Sequence, residues 1–308
     1  MKVIDILNSS KKPFPSLEIV PPQNGMSRDE LLATIGQFME FKPAYINVTC
    51  HRDEFRYVQG KDGTFSRHLV RNRISPETVC GVIMSEYDVQ MVPHVICAGK
   101  TVEEIESELF NLKFLGIRNI MALRGDSMLG EKRFTATPGG LSHGNELVEL
   151  VKSFNAENGW DFCIGVGGYP EKHYEAANME TDIANLKKKV DAGAEYVITQ
   201  MFFDNRHYYD FVKKCRSAGI SVPIIPGLKP ISSSGQIALL PESFSLEIPS
   251  ELTEEIRKAG EDKEATYRIG EQWCITQCKD LLSSGVPAIH LYTMGKAKNI
   301  VKVLEACF

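Results

Sequence analysis

The sequence has no surplus of positive charge, no long apolar run and no paired-cysteine motif. Lysine and arginine total 35 against 40 aspartates and glutamates, a net charge of −5 spread along the chain. That excludes the basic face on which a general nucleic-acid binder depends. No apolar stretch approaches the roughly 20 residues of a membrane-spanning helix. Met1 to Asn8 carry neither a signal-peptide core nor a small-residue cleavage site. Eight cysteines are scattered from Cys50 to Cys307 without a Cys-x-x-Cys pair. No zinc or thioredoxin-like centre is therefore expected, no metal at all, and the thiols read as reduced in a cytoplasmic protein. In that compartment the adhesion tripeptide Arg124-Gly125-Asp126 has no receptor to meet. A Gly-x-Gly-x-x-Gly turn is missing too. The nearest stretch, Gly165-Val-Gly167-Gly168, runs into Tyr169-Pro170 rather than a helix, which leaves an open doubly wound sheet as the second choice of fold.

What the chain does have is ordinary globular composition, 43% hydrophobic and 24% charged, in a repeated alternation. Short β-branched runs at 16–20, 44–50, 90–98, 119–123, 161–167, 196–202, 222–227 and 288–293 predict strands. Between them lie stretches of helical period at 28–40, 76–86, 101–115, 145–158, 181–192, 205–218 and 296–307. Thr101 with Glu104 three residues on has the spacing of a capping box. Eight such units without a second compositional regime predict an α/β fold, a (β/α)8 TIM barrel over 1–308 as a single catalytic domain. Extra helices at 251–259 and 263–282 precede the last strand, and 52–74 is a long polar segment with Arg67, His68, Arg71 and Arg73.

Barrel active sites lie at the C-terminal ends of the strands. Those ends carry Glu18, Thr49 with His51, His94, Arg124 with Asp126, Tyr169 with His173, Gln200, and His290 with Tyr292. Each has a plain alternative: a paired structural carboxylate for Glu18, a satisfied core imidazole for His94, a turn cap for Asp126. Together they converge on one mouth and need a common partner, because buried polar groups must be satisfied. On residues alone this is a barrel enzyme of unassigned chemistry with a polar cleft for a sizeable ligand.

An ordered series of motifs narrows that. It comprises Glu-Ile-Val-Pro-Pro at 18–22, Asn-Val-Thr at 47–49, Pro-His at 93–94 and Ala-Leu-Arg-Gly-Asp at 122–126. Gly-Tyr-Pro-Glu-Lys-His follows at 168–173, then Asn-Leu-Lys-Lys-Lys-Val-Asp-Ala-Gly-Ala at 185–194 and Ile-Thr-Gln-Met-Phe-Phe-Asp at 198–204. Pro-Gly-Leu-Lys-Pro at 226–230 and His-Leu-Tyr-Thr at 290–293 complete it. Over 16–296 the chain resembles the 5,10-methylenetetrahydrofolate reductase family in its short, bacterial-type form, without a C-terminal regulatory domain.

The resemblance implies FAD as cofactor, NADH or NADPH as donor, methylenetetrahydrofolate as substrate, a ping-pong order and a homo-oligomer. It implies a role in one-carbon metabolism and methionine synthesis. Glu18 matches the general acid, whose task calls for a raised pKa, and Asp126 a catalytic aspartate near the flavin and pterin. Gln200, Gln236, Leu240 and Tyr292 match substrate-side positions, Leu240 where some members stack a phenylalanine. Thr49, His94, Arg124, Gly125, Asp126, His143, Gly144, Asn145, Tyr169, His173, Asp182 and Lys189 match FAD-side positions. The arginines of 52–74, Arg67 and Arg71 in particular, are offered either to phosphates or a glutamate tail, or to solvent in a loop. Two other readings stand beside the reductase: a lyase or aldolase with Lys229 as Schiff-base lysine, and a non-catalytic folate- or flavin-binding subunit.

Overall fold

The structure is a computed structural model and describes residues 1–23, 25–52, 54–70, 73–127, 134–295 and 297–308. Its strands are β1 (Phe14–Ile19), β2 (Tyr45–Val48), β3 (Glu54–Gln59), β4 (Phe65–Val70), β5 (Gln90–Ile96), β6 (Asn119–Leu123), β7 (Cys163–Gly168), β8 (Tyr196–Thr199), β9 (Ile224–Ile225), β10 (Gly227–Leu228) and β11 (Ala288–Tyr292). Its helices are α1 (Val3–Ser9), α2 (Arg28–Met39), α3 (Pro76–Met84), α4 (Val102–Phe114), α5 (Gly144–Asn158), α6 (Met179–Asp191), α7 (Asn205–Ser217), α8 (Gln236–Phe244), α9 (Ser250–Ala259), α10 (Lys263–Ser283) and α11 (Lys298–Cys307). None is long and apolar enough to cross a membrane, among the described residues.

Nine strands form one parallel sheet in the order β10-β11-β1-β2-β5-β6-β7-β8-β9. Its ends meet at Pro226. Ile224 and Ile225 pair with Val197 and Ile198 on one side, while Gly227 and Leu228 pair with His290 and Leu291 on the other. Proline has no amide hydrogen to continue a ladder, so the seventh barrel strand is split in two. The Pro226 carbonyl still accepts from His290 N–H at 2.9 Å. The ring of eight is thereby closed, as the alternating pattern predicts.

The strands are buried on both faces: every residue of β2 and of β8 is buried, which explains their near-continuous apolar runs. Outward residues such as Ile46, Val48, Ile120 and Val197 meet the helices in the main core. Inward ones, including Tyr45, Val92, Met121, Tyr196 and Ile225, fill the barrel near its N-terminal end. There α1 closes the barrel. Val3 and Leu7 pack on that inner layer, and Asn119 holds the segment by accepting from Val3 N–H at 2.7 Å and donating to the Met1 carbonyl at 3.1 Å. The opposite, C-terminal end is left as the working face.

Thr101 caps α4 as its spacing predicts, its hydroxyl accepting from Glu104 N–H at 3.3 Å while the Glu104 carboxylate accepts from Thr101 N–H at 2.9 Å. Three elements depart from the sequence expectation. Helix α1 is too short for periodicity to announce. Helix α8 carries Pro241 inside it, a residue that reads as a breaker. The polar segment at 52–74 is not a plain loop: β3 and β4 pair antiparallel from Glu54↔Val70 to Gln59↔Phe65. Asp62-Gly63, with Gly63 at φ +81°, was the turn signal for that hairpin. Arg67 lies on β4; Arg71 lies outside the described residues.

Candidate active site

Strand period puts Ser16 and Glu18 on the same side of β1. Parallel register then sets Ser16 beside His290, and Glu18 beside Tyr292 and Asn47. His94 arrives from β5. Glu18 Oε2 lies 3.4 Å from His94 Nε2 and 3.8 Å from His290 Nε2. Behind these, His290 Nδ1 is 2.9 Å from Ser16 Oγ and Asn47 Nδ2 is 3.2 Å from His94 Nε2. His290 Nε2 and Asn47 Oδ1 are buried without a hydrogen bond among the described residues. The Glu18 side chain keeps 14% of its surface exposed, so a carboxyl backed by imidazoles opens on the mouth.

Burial pushes the Glu18 carboxyl up, but contact with His290 and the nearby His94 and His51 imidazoles outweigh it and bring it below its ordinary value. The raised pKa expected of a general acid is thus reversed in this state. The reason is the imidazole cluster, which comes from distant parts of the chain. His94 itself is brought down to about 4 by burial, against the pull of Glu18. It is neutral at neutral pH, and its Nε2 either donates to the carboxylate or accepts from the acid, according to tautomer.

The other half of the mouth is built from β6, β7 and the helices that follow. Gly125 has φ +85°, and an added Cβ would lie 2.7 Å from Ala98 Cβ. Both facts require glycine. Gly125→Ala is expected to destabilise the fold by about 2–4 kcal/mol, measured by denaturant unfolding; a change within experimental error would show that the turn relaxes freely. On one side of Gly125 the Arg124 guanidinium pairs with Glu175 and lies 4.6 Å over the Phe134 ring. On the other, Asp126 is exposed.

Tyr169 and His173 meet edge-on at 4.7 Å, and His173 N–H donates to Asp182 Oδ2 at 3.2 Å. Lys189 is half-buried and donates to the Gly167 carbonyl at 3.2 Å; it has no ion pair among the described residues. Burial lowers the Lys189 ammonium below its ordinary range and raises the Asp182 carboxyl. Burial, then the Arg124 charge, bring His173 down to about 4. The start of α5 faces this group: a Cβ on Gly144 would lie 3.7 Å from Lys189 Cε and 3.9 Å from the Arg124 amide nitrogen. His143 precedes it as N-cap and Asn145 follows in the first turn.

The remaining sequence candidates divide. The Thr49 hydroxyl, at the end of β2, sits 3.2 Å from His51 Nε2. The Tyr292 hydroxyl donates to the Thr199 carbonyl at 2.6 Å, with its ring edge-on to His290. Gln200 turns its side-chain oxygen back to Met201 N–H at 2.9 Å. Gln236 opens α8 and accepts from Ser232 N–H at 2.8 Å. Leu240 does not present a face for stacking. It is 4% exposed and lies in an apolar cluster with Met201, Phe203, Leu246 and Leu252, the last of these on α9. Lys229 is buried at 5% exposure. Ser16, Asn47, Glu175 and Phe134 join the site without having stood out in the sequence. For Ser16 and Asn47 a signal existed: each stands two residues before a chosen candidate, hence on the same strand face.

The methylenetetrahydrofolate reductase family model matches residues 2–307. An Escherichia coli protein named 5,10-methylenetetrahydrofolate reductase is 31% identical over 283 residues, 92% of this chain and 86% of its own. A maize protein named methylenetetrahydrofolate reductase (NADH) 1 is 30% identical over 98% of this chain and 49% of its own length. The chain thus spans about half the length of that plant relative. Among solved structures, a Clostridium thermocellum protein described as binding two copies of 5-methyl-5,6,7,8-tetrahydrofolic acid superposes with a TM-score of 0.63. It covers 98% of this chain and 96% of that one at 13% identity, a likeness of fold. With the match running from end to end of the barrel, the chain belongs to the methylenetetrahydrofolate reductase family.

Proposed function

We propose that the chain reduces 5,10-methylenetetrahydrofolate to 5-methyltetrahydrofolate, with NADH or NADPH as donor, in a ping-pong sequence through FAD. One observation carries this reading: a single mouth has two unlike halves, a carboxyl among imidazoles at β1 and half-buried cations beside the start of α5. Family membership and the name of the E. coli relative support the folate chemistry. The maize relative's name supports NADH as donor.

The second half fits FAD by its donor set. A half-buried lysine without an ion pair among the described residues, an arginine beside it and the amides at the start of a 15-residue helix suit a diphosphate. Arg124, Gly125, His143, Gly144, Asn145 and Lys189 would hold that part. Thr49, His94, Asp126, Tyr169, His173 and Asp182 would line the rest. Bound there, FAD supplies a two-electron carrier between the nicotinamide and the folate.

The chain's own residues do the remaining work. Glu18 holds a proton for N10 of the folate, whose release opens the five-membered ring to an iminium at N5. A folate seated over Glu18 removes its last contact with water, which strengthens the effect of burial and favours the protonated acid. Asp126 sets a negative charge beside the cationic iminium. Gln200, Gln236 and Tyr292 orient the pterin, whereas Leu240 stays in its own small core. Initial rates at several fixed folate concentrations are expected to give parallel double-reciprocal lines against NADH. Intersecting lines would contradict the ping-pong order, and absence of turnover with either nucleotide would contradict the activity.

A further inference from the structure

In the 168–173 motif, Tyr169 and His173 serve the mouth, but Glu171 makes its contacts elsewhere. Its side chain is 10% exposed and joins three separate pieces of chain. Its two oxygens accept from the Glu247 amide at 3.3 and 3.1 Å. Oε1 lies 3.4 Å from Nε2 of His207, in the first turn of α7, and that nitrogen is 4.0 Å from Glu247 Oε2. Glu247 belongs to the link between α8 and α9. The β7–α6 loop, the start of α7 and the end of α8 therefore meet at one carboxyl.

Backbone strain flanks the junction on both sides. Lys172, next to Glu171, has φ +78°, and Ser245, two residues before Glu247, has φ +52°. Side chains rarely tolerate these values, and they persist where surrounding bonds over-determine them. Lys172 is held by its ammonium on the His173 and Ala176 carbonyls at 3.1 and 2.7 Å. The link at 245–249 is anchored by the buried Leu246 and half-buried Ile248 in their apolar cluster, by Ser245 N–H on the Pro241 carbonyl and Thr253 N–H on the Pro249 carbonyl, and, for the polar backbone at its centre, by the bonds to Glu171.

We propose that Glu171 is a positioning residue whose carboxyl clamps the α8–α9 link to the loop bearing Tyr169 and His173, fixing the helix that begins at Gln236 beside the mouth. The part concerning Gln236 and folate rests on the function proposed above. Burial pushes the Glu171 carboxyl up to about 7 against the opposing pull of the Glu247 amide, with the Glu247 and Asp204 charges adding to the rise. The clamp is therefore a hydrogen bond to an amide, which the protonated and ionised forms both accept, rather than an ion pair.

Hydrogen exchange of the full chain without substrates tests this, using wild type, Glu171→Ala and Glu171→Gln. The Glu247 amide is expected to be protected in wild type. Alanine is expected to speed exchange across 236–249 by about 5–10-fold, the worth of one hydrogen bond, leaving the barrel strands unchanged; glutamine, which still accepts, is expected to restore protection. In kinetics, alanine is expected to raise KM for the folate by a similar factor with flavin reduction by NADH unaltered. An unprotected Glu247 amide in wild type overturns the clamp even if the variants fail to fold, and so does unchanged exchange in Glu171→Ala. If exchange behaves as expected while wild type turns over no folate, the clamp stands and the functional reading falls.

Discussion

Glutamine at position 18 is expected to slow the folate half-reaction by about 10²–10⁴-fold, while reduction of bound flavin by NADH stays within about twofold of wild type. The amide fills the same space beside His94 and His290, whose Nε2 atoms lie 3.4 and 3.8 Å from the carboxyl oxygen it replaces. It cannot hold or release a proton. Nothing in the nicotinamide reaction asks for that proton, so the two half-reactions should separate. Each is measured alone by rapid mixing. Equal loss of both would point to a lost cofactor rather than a lost acid, and loss of neither would remove Glu18 from the reaction.

Leucine at position 124 is expected to weaken FAD binding by about 10–150-fold, the worth of charge-assisted hydrogen bonds at roughly 1.5–3 kcal/mol. Arg124 is one of two cations at the start of α5, and Lys189 alone would leave a diphosphate half neutralised. The fold should survive. Glu175, the carboxylate left behind, is 22% exposed and can be hydrated, so the stability cost is expected to stay near or below ~1 kcal/mol. Titration of the FAD-free protein with FAD gives the affinity, and denaturant unfolding of the same sample controls for folding. An unchanged affinity would move the diphosphate away from Arg124.

Much of this architecture could be read from the residues because barrel strands buried on both faces leave continuous apolar runs. The runs at 119–123 and 288–293 coincide with β6 and β11 to within a residue. The split at Pro226 was less legible, since a proline in an apolar run signals an interruption without saying that both halves stay paired. Residues 52–74 misled because β3 and β4 expose most of their side chains, including Tyr57 and Phe65, and so lack the alternation that burial of one face imposes.

The site was legible as a set of strand ends but not as a set of distances. Motif spacing identifies Glu18 and His94 as candidates; only the barrel's register brings both within reach of His290. The direction of the Glu18 pKa followed from that neighbourhood. The burial of Leu240 was not legible for a related reason: it shares an apolar cluster with Leu252 and Ile256 of α9, a meeting that no local pattern announces.

The most direct test of the account is the visible spectrum of the purified protein, kept anaerobic, before NADH, after NADH, and after methylenetetrahydrofolate is added. The account predicts a flavin spectrum that bleaches with NADH and returns with the folate. A flavin that bleaches and does not return would contradict the folate assignment, and a colourless protein that takes up no FAD would contradict the cofactor site built on Arg124 and Lys189.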